Sequence, residues 1–239
     1  MFKKYAGFHF IFLLLTVIQL ITESDTLTQI FLVKGIHYFS KPLLVISLFG
    51  LLLYQTGLRG RFSKRIAIGL IFSLIGDSCL LFEKQNSAFL IAGIFAFVIA
   101  FLLYAAAFNL DYRLNTSIYK GHRKNAIMAF LFYDLALYSA LWSGLDMPMK
   151  IAVLFCLLAL SFAGIMAVNR FGRVNSLSYK LHLMGIGSFA LSIIVFMINR
   201  YLVNFSLSGI FVTACYIAAQ YLIVMGTLER KLKKKVEEI

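Results

Sequence analysis

Two acids stand where carboxylates are expensive. In FSLIGDSCLLF, residues 72–82, Asp77 interrupts an apolar run, and in FLFYDLALYSALW, residues 130–142, Asp134 does the same. A charged carboxylate in the middle of a membrane helix costs roughly 2.5–3.5 kcal/mol on insertion scales, so such acids face a bundle interior or a wet cavity and serve a function. Two carboxyl groups in different environments can divide the work of hydrolysis, one donating a proton and the other activating water. Asp77 lies six residues before Glu83, which predicts a depth of about 9 Å below the outer end of its helix at 1.5 Å per residue. Asp134 is placed at a similar depth, within about a turn, with Tyr138 one turn further along the same face. Either Asp134 lines the same cavity as Asp77 or it bonds to a neighbouring helix.

Other polar groups accompany the acids. Lys41 opens a helix in HYFSKPLLV, where Pro42 suits the first helical turn because it has no N–H to leave unpaired. Its ammonium either snorkels to the membrane border or bends into an outer cavity to meet a phosphate or Asp77. Tyr104, Tyr216 and Gln220 fall within apolar spans, where such groups either bond across helices or face a ligand. Cys79, Cys156 and Cys215 are isolated in apolar runs, so they form neither a disulfide framework nor a zinc site. His9, His37, His122 and His182 are placed at or near helix ends, and neither a metal nor a cofactor is expected.

These residues need elements to hold them, and the composition says which. The chain is 61% hydrophobic and 14% charged, against about 25% charged in soluble domains. AFLIAGIFAFVIAFLLYAAAF, residues 88–108, runs without a charge, and about 20 apolar residues cross the hydrocarbon of a bilayer. The alternating short runs of a membrane barrel are absent. The sequence predicts an all-α protein of the cell membrane with eight helices near 6–22, 39–56, 66–82, 88–108, 125–142, 149–168, 181–198 and 207–228. The first is a retained helix rather than a cleaved signal, since no small-residue cleavage pattern follows it. No connection is long enough to fold separately, so 1–239 is one domain. The net charge of +13 is dispersed over short loops, which argues for membrane orientation and against nucleic acid. Eighteen of the 23 basic residues fall on one side, leaving Lys34, Lys41, Lys84, Lys150 and Arg200 on the other. The positive-inside rule then puts both termini in the cytoplasm. The tail ERKLKKKVEEI is expected to extend the last helix along the anionic inner leaflet.

Taken together, HYFSKPLL, FSLIGDSCLLFE, AGIFAFVIAFLLYAAAF, MAVNR and YIAAQYLIVMG, in that order over residues 37–226, resemble the YhhN-like family, which includes the lysoplasmalogenases. The resemblance implies a hydrolase that cleaves the vinyl ether of a lysoplasmalogen, releasing a fatty aldehyde and glycerophosphoethanolamine or glycerophosphocholine. Its partners would be a lysophospholipid with a vinyl ether chain and the surrounding membrane lipids. Asp77 would then be catalytic, with Asp134 the candidate for a second catalytic acid if it lines the same cavity, and Lys41, Ser192, Tyr104, Tyr138, Tyr216 and Gln220 are the candidate substrate contacts.

The chain departs from the family pattern at two places. Phe101 stands where a histidine is usual, and the Ser-Asp pattern of helix seven reads Ser192-Ile193. Two readings follow: a vinyl-ether hydrolase in which Asp134 or a tyrosine replaces the missing acid, or a non-catalytic membrane protein that binds or moves a lipid-like ligand. A transporter reading finds no broken-helix Gly/Pro pair, because Pro42 and Pro148 are placed at helix starts. A faint similarity between SFALSIIVF and FSLIGDSCL puts Ser192 and Ile193 near Asp77. The charge asymmetry yields a direct test of topology: reporter fusions after Arg59, Lys120, Arg173 and Ile239 should all register as cytoplasmic, and a periplasmic signal from the carboxyl terminus would overturn the assignment.

Overall fold

Long apolar runs broken by short polar turns leave each backbone one economical way to satisfy its own amides in lipid, the α-helix. The computed structural model describes residues 5–23, 31–83, 85–114 and 121–233. Among the described residues eight helices follow one another: α1 Ala6–Thr22, α2 Phe31–Thr56, α3 Arg61–Leu80, α4 Ser87–Leu114, α5 Gly121–Leu141, α6 Met147–Val168, α7 Ser176–Tyr201 and α8 Ser208–Leu228. Five of them, α2, α4, α6, α7 and α8, contain stretches long and apolar enough to cross a membrane. α1 is apolar but has 17 residues. Large side chains such as Phe10, Leu13, Phe132, Leu135, Phe155 and Phe211 are exposed on the bundle's outside, a surface suited to lipid and costly in water.

Local chemistry sets the helix ends. The α6 N-terminus is capped by Asp146, whose Oδ1 accepts from Met149 N at 3.1 Å, with Pro148 in the first turn. Gly57 ends α2 at φ +55°, a left-handed conformation that glycine adopts without Cβ strain. Two expectations fail at helix ends. α2 begins at Phe31, so Pro42 sits inside the helix and not in its first turn; the stretch FLVKGIHY, though broken by Lys34, Gly35 and His37, is helical too. α8 stops at Leu228, and residues 229–233, the described part of the tail, do not continue it. Instead Val174 and Leu232 form a bridge, and Lys233 N donates to Arg173 O at 3.0 Å, so this segment straps across the α6–α7 turn. Lys3, Lys4, Lys84, Lys120, Lys234 and Lys235 of the charge count lie outside the described residues.

α7 packs along α8, α3 along α4, and α4 against α6, while α5 leans mainly on α6. Close approach between α3 and α4 depends on two glycines of α3. A Cβ on Gly69 would fall 2.4 Å from Tyr104, and one on Gly76 would fall 2.9 Å from Phe97.

One end of the bundle is closed by charge. Asp111, in the last turn of α4, is fully buried between two arginines. Arg170 Nε donates to its Oδ2 at 2.8 Å, and Arg230 Nε donates to its Oδ1 at 3.0 Å, with Arg230 Nη2 also bonded to Oδ1. Arg170 is wholly buried over the rings of Phe62 and Phe108, and its Nη2 donates to Ser178 Oγ at 3.2 Å. His182 joins this cluster: it is buried inside α7, with Nε2 3.2 Å from Thr227 Oγ1. It therefore lies within a helix and not at its end, because α7 starts at Ser176, a turn and a half earlier than expected. Asp111 ties α4, the α6–α7 turn and the segment after α8 together. Removing one partner of a buried ion pair costs about 3–5 kcal/mol, since the other charge stays buried. Asp111→Asn should lower the thermal midpoint of the detergent-solubilised protein by a corresponding margin; an unchanged melting curve would show the cluster to be dispensable.

Candidate functional site

Asp77 is placed three residues before the end of α3, about 4.5 Å along the axis and shallower than the expected depth because α3 stops at Leu80 and Glu83 belongs to the following turn. Its side chain is nonetheless withdrawn from the surface, at 1% exposure. It opens onto a cavity walled by Phe97, Phe101, Phe189, Phe196, Ile193 and Val212, with Lys41, Cys156, Ser192 and Tyr216 also in the lining. Few polar groups interrupt the wall, and most of those converge on Asp77.

The two oxygens of Asp77 differ. Oδ2 accepts a very short hydrogen bond from Tyr216 OH. Oδ1 is buried without a hydrogen bond from any described residue and faces Lys41 Nζ at 3.5 Å, beyond the usual range for N–H···O. Lys41 also lies 5.2 Å from the Tyr216 ring centre, within cation–π reach. Phe97 and Phe189 meet that ring edge-on at 5.9 and 5.8 Å. Tyr216 is thus fixed on several sides, and its hydroxyl is committed to Asp77.

Behind Tyr216 runs a series of hydrogen bonds with a single direction. Gln220 Nε2 donates to Tyr216 OH at 3.0 Å, and Tyr104 OH donates to Gln220 Oε1 at 3.0 Å. Ser73 Oγ lies 3.5 Å from Tyr104 OH. Gln220 and Tyr216 are one turn apart on α8, Tyr104 comes from α4 through the space that Gly69 leaves, and Ser73 precedes Asp77 by one turn on α3. All of these groups are buried, as satisfied polar groups in an apolar core can be.

Several expected residues meet and others do not. Asp77, Lys41, Ser192 and Tyr216 share the cavity, and Tyr104 and Gln220 stand immediately behind it. Lys41 bends inward to Asp77. Ser192 Oγ donates to Val212 O at 2.9 Å, so its hydroxyl hydrogen ties α7 to α8. Ile193 and Phe101, the two departures from the family pattern, both line the same cavity. Asp134 does not line it: its Oδ1 accepts from Ser161 Oγ at 2.7 Å, tying α5 to α6. Tyr138 is likewise elsewhere, its hydroxyl 3.5 Å from Lys150 O and its ring against Trp142. The expected similarity of depth did not put Asp134 beside Asp77: Asp134 stands seven residues before the end of α5, against three for Asp77 in α3, and the helices between them, α4 and α6, set the azimuth.

The apolar runs do not foretell the cluster at the opposite end, because they end before Asp111 and before Arg170 and place both in connections. The available signal is Asp111 itself, the one acid of that side outside the carboxyl-terminal tail.

Neither a curated protein nor a solved structure matches the chain. The YhhN family matches it over residues 36–227. That span opens a few residues before Lys41 and closes at the end of α8, taking in every residue of the cavity wall and of the hydrogen-bond series behind it. A match over so much of the sequence places the chain in the YhhN family.

Proposed function

We propose that this integral membrane protein is a lysoplasmalogenase-like hydrolase that cleaves the vinyl ether of a lysoplasmalogen to a fatty aldehyde and a glycerophospho-base. We place it in the cell membrane with eight spans and both ends in the cytoplasm. Family membership supports the general class. The observation that carries the reading is the asymmetry of Asp77: one oxygen held by Tyr216, the other without a hydrogen bond from a described residue and facing Lys41 at 3.5 Å, in a cavity walled mainly by hydrocarbon and aromatic rings.

One carboxyl group suffices for the chemistry if it acts twice. Loaded with a proton from solvent, Asp77 gives it from Oδ1 to the β-carbon of the vinyl ether, leaving an oxocarbenium ion at the α-carbon and a carboxylate on the enzyme. Tyr216 and Lys41 stabilise the charge that develops on that carboxylate, as preorganised donors do in a dry site. Water then adds to the α-carbon, and Oδ1 takes its proton, restoring the acid. The hemiacetal collapses as its hydroxyl proton passes to the departing glycerol oxygen, giving aldehyde and alcohol. The tyrosine beside Asp77, rather than Asp134, fills the supporting place of the missing acid.

A second reading rests on Ile193 and Phe101. Where the family pattern has an acid and a histidine, this cavity has an alkyl group and a ring, which suits a protein that holds or moves a lipid-like ligand without cleaving it.

The decisive assay is aldehyde release by the purified protein from lysoplasmenyl lipid. Asp77→Asn should abolish it while the variant still elutes as the wild type does, because Asn keeps the shape and cannot cycle a proton. Full activity in that variant would remove Asp77 from the chemistry. Tyr216→Phe should lower kcat on the order of 10²-fold, the effect of losing one charge-stabilising donor, with KM little changed. If the wild type and Ile193→Asp both release no aldehyde, the binding reading replaces the hydrolase.

A further inference from the structure

Glu83 and Arg200 take no part in the chemistry above, yet each follows a residue of the cavity wall by about one turn. Leu80 of α3 and Phe196 and Met197 of α7 belong to its wall. About one turn further along each segment, Arg200 Nη1 and Glu83 Oε1 meet at 3.1 Å, both side chains partly open to the surroundings. The glutamate is held through one oxygen: Oε2 is buried and has no hydrogen bond from a described residue. The guanidinium lies 5.9 Å from the rings of both Phe196 and Tyr201. Arg200 is therefore a cation with one carboxylate contact and two neighbouring rings, about one turn beyond the cavity wall.

The geometry points to Arg200 as the receptor for the phosphate of a lysophospholipid headgroup, with Glu83 as the carboxylate that the phosphate displaces. This rests on the reading that a single-chain lipid fills the cavity, but not on its being cleaved. A guanidinium presents paired N–H groups that match phosphate oxygens better than a monodentate carboxylate contact does. Distance supports the pairing. From Ser192, in the wall shared with Asp77, to Arg200 is eight residues of helix, about 12 Å. In an extended lysoplasmalogen the β-carbon and the phosphorus are seven bonds apart, roughly 9 Å at ordinary bond lengths, and the arginine side chain spans the remainder. A lipid with its vinyl ether at Asp77 Oδ1 thus carries its phosphate to Arg200. An alkylglycerol of the same chain length brings nothing for the arginine to hold. Lys41 is the nearer cation to Asp77, but it is occupied by that carboxylate and by the Tyr216 ring. Glu83 neutralises Arg200 when the cavity is empty and competes with the incoming anion.

Equilibrium binding to the full chain in a neutral maltoside detergent tests this with three probes. They are a 1-O-hexadecyl lysophosphocholine, whose saturated ether offers no alkene to protonate; 1-O-hexadecylglycerol; and glycerophosphocholine. The wild type should prefer the phospholipid to the alkylglycerol by about tenfold or more, the scale of a charge-assisted contact. Arg200→Gln should erase that preference while leaving the alkylglycerol affinity unchanged. Glu83→Gln should strengthen phospholipid binding several-fold, a gain that a merely destabilised protein would not show. The inference is overturned if the wild type shows no preference, if Arg200→Gln retains it, or if Glu83→Gln weakens it. Glycerophosphocholine binding as tightly as the lysolipid would also overturn it, in favour of a site for soluble phosphate esters. A preserved preference in a protein that releases no aldehyde supports the headgroup site and sinks only the hydrolase.

Discussion

A carboxyl group withdrawn into hydrocarbon must be answered by donors or by a counter-charge, and the need of Asp77 for both organises this bundle. No single helix can meet it. The phenol comes from α8, the ammonium from α2 and the reinforcing phenol from α4. Each of these must approach α3 closely at one depth, and the small residues Gly69 and Gly76 let α4 do so. The aromatic rings that pack around Tyr216 follow from the same requirement, because a hydroxyl fixes a carboxylate only if its ring cannot swing.

The bundle has a second buried acid with a different solution. Asp111 is answered by two arginines, which between them engage both of its oxygens. Two guanidiniums on one carboxylate leave neither oxygen open to a reacting group. Asp77 has one ammonium at a longer distance and open space beside it. The contrast separates a fastening from a site more clearly than burial does, since both acids are almost fully buried.

Much of this was legible in the chain. All eight helices lie where the apolar runs put them, because in lipid a long run and a helix are nearly the same statement. The nearness of Ser192 and Ile193 to Asp77 was also readable, from the resemblance of two segments. What could not be read was azimuth and exact ends. Asp134 was expected at a depth like that of Asp77 but points to Ser161, a matter of helix ends and rotation that packing decides. Pro42 falls inside α2 because the stretch FLVKGIHY before it, though broken by Lys34, Gly35 and His37, is helical too. His182 and Asp111 were hidden by assuming that polarity marks a loop, whereas an ion cluster can carry a helix several residues beyond its apolar stretch.

The series from Tyr104 through Gln220 and Tyr216 to Asp77 has a further property. Each hydroxyl has one hydrogen, and the glutamine has a donor end and an acceptor end, so no member can turn around alone without setting two acceptors or two donors against each other. The reverse arrangement would need a hydrogen on Asp77 Oδ2, because only a protonated acid can donate to Tyr216. The direction of the series is thus tied to the charge at its end: while Asp77 is a carboxylate, Tyr104, Gln220 and Tyr216 all point their hydrogens toward it.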